Sequence, residues 1–208
     1  MTGLDVLHGS RIVPVVVLDD ASFAPDLADA LHAGGIPTAE ITLRTPAALD
    51  AIRAVAGRSG FAVGAGTVTT VAQVEAAVDA GATYLVSPGF DDAVVERAAE
   101  LGIPFIPGVA TATEIQRAVA AGCDRLKLFP AGVAGGPTAL KAFAGPFPDV
   151  RFLPSGGVSA ANAGEYLTLG NVFAVSGSWM VPTAALAARD AETVRALSAE
   201  ASAAVSAV

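Results

Sequence analysis

Eight short apolar segments recur along this chain of 208 residues, and their spacing limits the fold more than any other feature. They read IVPVVVL (12–18), AEITL (39–43), FAVGAGTV (61–68), TYLVSPG (83–89), PFIPGV (104–109), RLKLFPAG (125–132), RFLPSGGV (151–158) and VFAVSGSW (172–179). Their centres lie roughly 20–26 residues apart. Between them run alanine-rich stretches with helical spacing, such as TTVAQVEAAVDAG (69–81) and DDAVVERAAELG (91–102). Several close on glycine (Gly34, Gly81, Gly102, Gly122, Gly170), as a left-handed helix end favours. Others open on Thr45-Pro46, Thr69, Asp91, Thr111 or Ser159, residues suited to an N-cap.

Near-continuous apolar strands alternating with helices predict a parallel sheet covered by helices. Eight such units in this length predict a (β/α)8 TIM barrel as a single domain over 1–208, with a short N-terminal helix. One or two closing helices follow, from about residue 183 to 208. An open doubly wound sheet is the alternative. The barrel is preferred because glycine, proline and polar residues gather at the C-terminal end of almost every segment, which makes one rim specialised.

Composition narrows the function. The net charge is −8 with scattered basic residues, so nucleic acid has no electrostatic footprint. No apolar run approaches the about 18 residues of a membrane span, and the N-terminus shows no signal-peptide pattern. The single Cys123 excludes an internal disulfide and fits a reducing cytosol. His8 and His32 belong to no cluster, so no metal centre and no cofactor is expected.

Lys127 is one of only two lysines, and it sits in the apolar run RLKLF. Strand alternation turns Leu126 and Leu128 toward the helices, and Arg125, Lys127 and Phe129 inward. Burial among aliphatic walls disfavours a charged amine, and a neutral amine attacks carbonyl carbon. The bland alternative is a structural lysine paired with an acid. Lys141, on a helical pattern, is expected to be solvated.

On AEITLRT, Glu40, Thr42 and Arg44 share one face. Glu40 can shuttle protons for an imine-forming lysine, and Arg44 can hold a substrate carboxylate through a forked hydrogen bond. A Glu40–Arg44 or Glu40–Lys127 structural ion pair is the competing reading, and the two can coexist. Thr67, at the tip of GAGTV, offers a hydroxyl to a carboxylate, although GAGT also suits a tight corner. Pro88 and Pro107 shape the rim. PSGGV and SGSW end the seventh and eighth segments, where barrels often bind phosphate. Gly156, Gly157, Gly177 and Ser178 therefore form a candidate phosphate cradle of exposed backbone amides. A 2-oxo acid phosphorylated at its far end satisfies all these groups.

These segments together resemble the 2-keto-3-deoxy-6-phosphogluconate (KDPG) aldolase family, whose members often also act as 4-hydroxy-2-oxoglutarate (KHG) aldolases. The resemblance runs from IVPVVVLDD through GGIPTAEITLRTPAALDAIRA, VGAGTV, YLVSPG, IPFIPGVATATE, LKLFPA, GGPTALKAFAGPF, RFLPSGGVS and GSWMVP. It implies a metal-free class I aldolase, a cytoplasmic homotrimer that cleaves the phosphorylated 2-oxo acid to pyruvate and glyceraldehyde 3-phosphate in the Entner–Doudoroff route. Carried over, Lys127 is the Schiff-base lysine and Glu40 the acid–base group. Arg44 and Thr67 meet the pyruvate carboxylate, Pro88 and Phe129 line the pocket, and Gly156, Gly157 and Ser178 bind phosphate. Three positions depart from the common pattern. Gly132 follows FPA where many members have Glu, Ser155 stands where Thr is common, and Ser176-Gly177 replaces a glycine pair. These rim changes bear on the aldehyde partner and with it on the phosphate dependence; the alternatives are a sibling aldolase for 2-dehydro-3-deoxy-6-phosphogalactonate or, in a different class, a phosphosugar isomerase or a non-catalytic phosphate-binding barrel.

Overall fold

The computed structural model describes residue 7 and residues 9–206. The helix expected at the N-terminus lies largely outside them, as does His8; Leu7, Gly9 and Ser10 are helical.

Every apolar segment forms a strand with a helix after it. The strands are β1 (Ile12–Val16), β2 (Thr38–Thr42), β3 (Ala62–Gly66), β4 (Tyr84–Val86), β5 (Phe105–Ile106), β6 (Gly108–Val109), β7 (Arg125–Leu128), β8 (Arg151–Pro154) and β9 (Val175–Gly177). The fifth segment becomes two strands because Pro107 interrupts it. Proline has no N–H for a ladder, and the Pro107 carbonyl instead accepts from Lys127 N. The helices are α1 (Ala24–Ala33), α2 (Ala48–Val55), α3 (Val71–Asp79), α4 (Asp92–Glu100), α5 (Ala112–Ala120), α6 (Gly136–Ala144), α7 (Ala163–Leu167), α8 (Thr183–Ala187) and α9 (Ala191–Ser206).

All pairings are parallel. One sheet runs β5-β4-β3-β2-β1-β9 and a second β6-β7-β8. Single parallel bridges, Phe152 to Val172 and Ser155 to Ser176, link the β8 segment to that of β9.

Side-chain alternation divides the apolar residues into two cores. The larger lies between strands and helices and takes Ile12, Ile41, Val63, Leu85, Leu126, Leu128 and Phe152 from the outward strand positions. The smaller takes the inward positions Val13, Ala62, Tyr84, Val86, Ile106, Leu153 and Ala174, together with Leu7 and Phe173. That inner cluster forms a floor, and the polar inward residues Thr38, Glu40, Thr42, Lys127, Ser155 and Ser176 share its buried face.

Local signals mostly act where expected, with some one-residue shifts. Asp91 and Thr111 cap α4 and α5 through their side chains, and Thr111 with Glu114 forms a capping box. The cap of α3 is Thr70, not Thr69, whose amide instead donates to Gln73 Oε1. Thr45 leaves the cap of α2 to Ala47 and donates to the Leu18 carbonyl, while Asn162 rather than Ser159 precedes α7. Gly34 is not left-handed; Gly35 carries the positive φ, and Gly34 is small because α9 presses on it. A Cβ there would stand 2.4 Å from Ser198 Cβ. Gly170 has no positive φ either.

Candidate active site

β2 and β7 bring the two central groups together. Lys127 Nζ lies 3.1 Å from Glu40 Oε1, with side-chain exposures of 7% and 1%. Each strand's alternation delivers its residue inward, flanked by Ala39 and Ile41, or by Leu126 and Leu128, in the outer core. Two charged side chains leave water here only because each compensates the other, so removing one strands its partner.

Glycine makes the room. On β3 the inward positions after Ala62 are Gly64 and Gly66. A Cβ at Gly64 would lie 2.2 Å from the Tyr84 ring, and one at Gly66 only 2.3 Å from Glu40 Oε1. The Tyr84 hydroxyl sits 2.9 Å from Thr38 Oγ1, which donates to the Ala62 carbonyl at 2.7 Å. Burial pushes the Tyr84 hydroxyl well above the usual phenol range and the Glu40 charge adds to this, with the Thr38 hydrogen bond opposing both. Tyr84 is thus a protonated, satisfied part of the floor.

The other expected residues follow the C-terminal ends of their parallel strands. Phe129, half-buried, places its ring centroid 5.2 Å from Lys127 Nζ. Arg44 follows β2 at the surface. Among the described residues it is the one arginine with neither a hydrogen bond nor an ion pair from its side chain, which leaves its five donors for a ligand. Thr67 ends β3 half-buried with φ +59°. A β-branched residue there stores of order 1–3 kcal/mol of strain, which the surroundings must hold. Pro88 is half-buried and packs on β6: a Cβ at Gly108 would meet the Pro88 carbonyl carbon at 2.2 Å.

The glycine loops after β8 and β9 lie against each other. Gly156 and Gly157 have φ +83° and +86°, conformations that non-glycine residues resist. Gly157 packs against Gly132, at 3.3 Å for an added Cβ. At Gly177 an added Cβ would lie 3.3 Å from the Val158 carbonyl oxygen and 2.2 Å from the Trp179 ring. The amides of Gly157, Val158 and Ser178 donate to no acceptor among the described residues. These unpaired amides sit in two loops that touch each other, which makes them candidates for holding an anion.

Lys141 is exposed on α6, and His32 is exposed on α1. Among the described residues no three His, Cys, Asp or Glu side chains gather as metal ligands, and no helix is long and apolar enough to cross a membrane.

Sequence reasoning missed the spacer role of Gly64 and Gly66, and it read Ser176 only as a rim change, whereas it is buried beside Glu40. The signal was present for the first: two glycines at alternate positions of one strand imply a bulky neighbour on that face. Ser176 shares the inward parity of Ala174 and is fully buried, with Oγ 3.5 Å from Glu40 Oε2.

With this geometry in view, the similarities to other proteins carry a definite meaning. The sequence model described as KDPG and KHG aldolase matches residues 4–197. The chain belongs to the KDPG and KHG aldolase family. This aldolase is therefore an enzyme, a carbon–carbon lyase. It is 48% identical to the 2-dehydro-3-deoxy-phosphogluconate aldolase of Pseudomonas aeruginosa over 193 residues, covering 92% of this chain and 88% of the relative. It is 44% identical to the KHG/KDPG aldolase of Escherichia coli, covering 94% and 92%. It also superposes with a TM-score of 0.91 on the KDPG aldolase of Legionella pneumophila. That structure, 39% identical and matched over 96% of this chain and 97% of the other, captures pyruvate as a covalent carbinolamine intermediate.

Proposed function

We propose that this aldolase cleaves 2-dehydro-3-deoxy-6-phosphogluconate to pyruvate and glyceraldehyde 3-phosphate, and also takes 4-hydroxy-2-oxoglutarate to pyruvate and glyoxylate. The observation that carries the reading is the buried 3.1 Å contact between Lys127 and Glu40. Lys127 Nζ passes a proton to Glu40 and, now neutral, adds to the C2 carbonyl carbon. Glu40 protonates the departing hydroxyl, water leaves, and a protonated imine remains. Glu40 then accepts the C4 hydroxyl proton as the C3–C4 bond breaks. The electron pair of that bond moves into the iminium, giving the pyruvate enamine and free aldehyde. Protonation at C3 and addition of water return pyruvate and the amine.

Arg44 and Thr67 take the carboxylate, Pro88 and Phe129 line the walls, and Gly156, Gly157, Gly177 and Ser178 take the phosphate. The unpaired amides of the last loops support the phosphorylated substrate over an unphosphorylated one. The route served is Entner–Doudoroff sugar breakdown.

We also read the two sheets as one closed (β/α)8 TIM barrel spanning 1–208 as a single domain. The bridges between the β8 and β9 segments and the continuity of β5 with β6 around Pro107 support this. The lone cysteine supports a cytoplasmic setting. Membership of the family supports assembly into a homotrimer, which light scattering tests.

Incubation with pyruvate and sodium borohydride tests the chemistry. One reduced pyruvate adduct mapped to Lys127 is expected. A folded protein without an adduct would leave the lysine structural. The K127M variant is expected to fold with a loss of stability, because Glu40 is left buried and unpaired, and to lose turnover entirely. Near-normal turnover in K127M refutes the cycle.

A further inference from the structure

The two oxygens of Glu40 have different neighbours. Oε1 faces Lys127 Nζ at 3.1 Å, and Oε2 faces Ser176 Oγ at 3.5 Å. Ser176 reaches that place by strand parity: on β9 Val175 lies in the outer core, and Ser176 points inward with no exposed surface. It pairs with Val13 on β1 and bridges Ser155. Among the described residues its hydroxyl has no other side-chain partner.

A separation of 3.5 Å is long for O–H···O, so in the resting site Lys127 supplies the carboxylate's main donor. The imine chemistry proposed above, on which this inference rests, changes that balance. Once Nζ is bonded to substrate C2, a single N–H remains and its direction is set by the substrate. The carboxylate stays buried, and a buried carboxylate without donors is costly. The donor still within reach is Ser176, and catalytic hydrogen bonds that are long in an empty site tighten as the complex forms. Gly66 leaves no slack on the other side, since Glu40 already fills the space of its absent Cβ.

We propose that Ser176 is a positioning residue: in the imine state its hydroxyl donates to Glu40 Oε2 and holds Oε1 toward the substrate's C4 hydroxyl. During cleavage the C4 hydroxyl proton passes to Glu40 Oε1 while the C3–C4 electron pair enters the iminium, and Ser176 keeps its own proton.

The test compares S176A with S176G. Alanine removes the hydroxyl and keeps a dry methyl group; glycine opens space for a water that can donate to Oε2 in its place. Circular dichroism establishes that each is folded. Three quantities are read: steady-state turnover, exchange of the pyruvate methyl protons for deuterium, and the final yield of borohydride-trapped adduct on Lys127. S176A is expected to lose about 10-fold in kcat and in exchange rate, the effect of one hydrogen bond to a charged group, with KM within about twofold and the adduct yield unchanged. S176G is expected to recover most of the lost rate. A merely structural residue gives the opposite order, with the smaller side chain the worse, and that result overturns the proposal. So does wild-type kcat and exchange in S176A. If the unmodified protein forms no adduct, the imine chemistry itself has failed, and the two failures are told apart by that control.

Discussion

Gly66 occupies the one position on β3 from which a side chain would strike the Glu40 carboxylate: an added Cβ would stand 2.3 Å from Oε1 and 2.6 Å from Cγ. The neighbouring strand thereby makes room for the proposed acid–base group through what it leaves out. G66A must push the carboxylate off Lys127. A displacement near 1 Å at a reacting centre costs on the order of 100-fold, so kcat in G66A is expected to fall by at least about that factor. Overpacking adds about 1–3 kcal/mol of destabilisation. Steady-state kinetics and urea unfolding check both.

Arg44 separates binding from stability. Its side chain makes no hydrogen bond or ion pair among the described residues, so R44A is expected to change unfolding free energy by less than about 0.5 kcal/mol. If it grips the substrate carboxylate, KM rises roughly 10- to 100-fold, the effect of a charge-assisted hydrogen bond worth about 1.5–3 kcal/mol. An unchanged KM would remove Arg44 from the site.

Thr67 is expected to show a trade between stability and activity. T67G relieves the φ +59° strain and should gain roughly 1 kcal/mol less whatever flexibility glycine adds to the unfolded chain. It should also lose affinity for pyruvate. A thermal melt beside a pyruvate inhibition curve measures the pair of effects.

The glycine loops make a selective prediction. S178D places a negative charge beside the free amides of Gly157 and Val158. Its kcat/KM is expected to fall at least about 100-fold for the phosphorylated substrate and to change little for 4-hydroxy-2-oxoglutarate, which carries no phosphate. Equal losses on both would mean that the loops do not read the phosphate.

Glu114 gives a pH signature distant from the chemistry. The Ala110 amide above all holds its carboxyl below the usual carboxylate range; burial opposes this, and the Thr111 hydroxyl and amide and the Arg117 charge add to the lowering. A depressed value in the folded state means stabilisation that is full above the unfolded pKa of about 4.3 and fades as pH falls through the folded value. Wild type and E114Q are therefore expected to differ in urea midpoint at pH 7 and to converge in strong acid.

Much of this was legible because strand periodicity is a parity rule. Once β2 and β7 are strands, Glu40 and Lys127 must face inward, and glycine-rich ends must gather at one rim. What parity cannot supply is distance across the sheet. Glu40 and Lys127 lie 87 positions apart, and the alternatives of a structural pair with Arg44 or with Lys127 were equally open in one dimension. The structure separates them by leaving Arg44 unpaired. Packing against sequence-distant elements also accounts for what was misplaced: Gly34 is small to admit α9, not to turn left-handed, and Thr45 serves the Leu18 carbonyl instead of its own helix.

The floor of Leu7, Tyr84, Ile106, Leu153 and Phe173 backs the site on one side. If the two sheets close into the barrel proposed above, a molecule held on Lys127 lies at the blind end, and whatever is cleaved from it stands between it and the exit. The two products would then queue: the aldehyde, nearer the mouth, departs before pyruvate, and in the reverse direction pyruvate goes in first. Traffic order would be a property of the architecture.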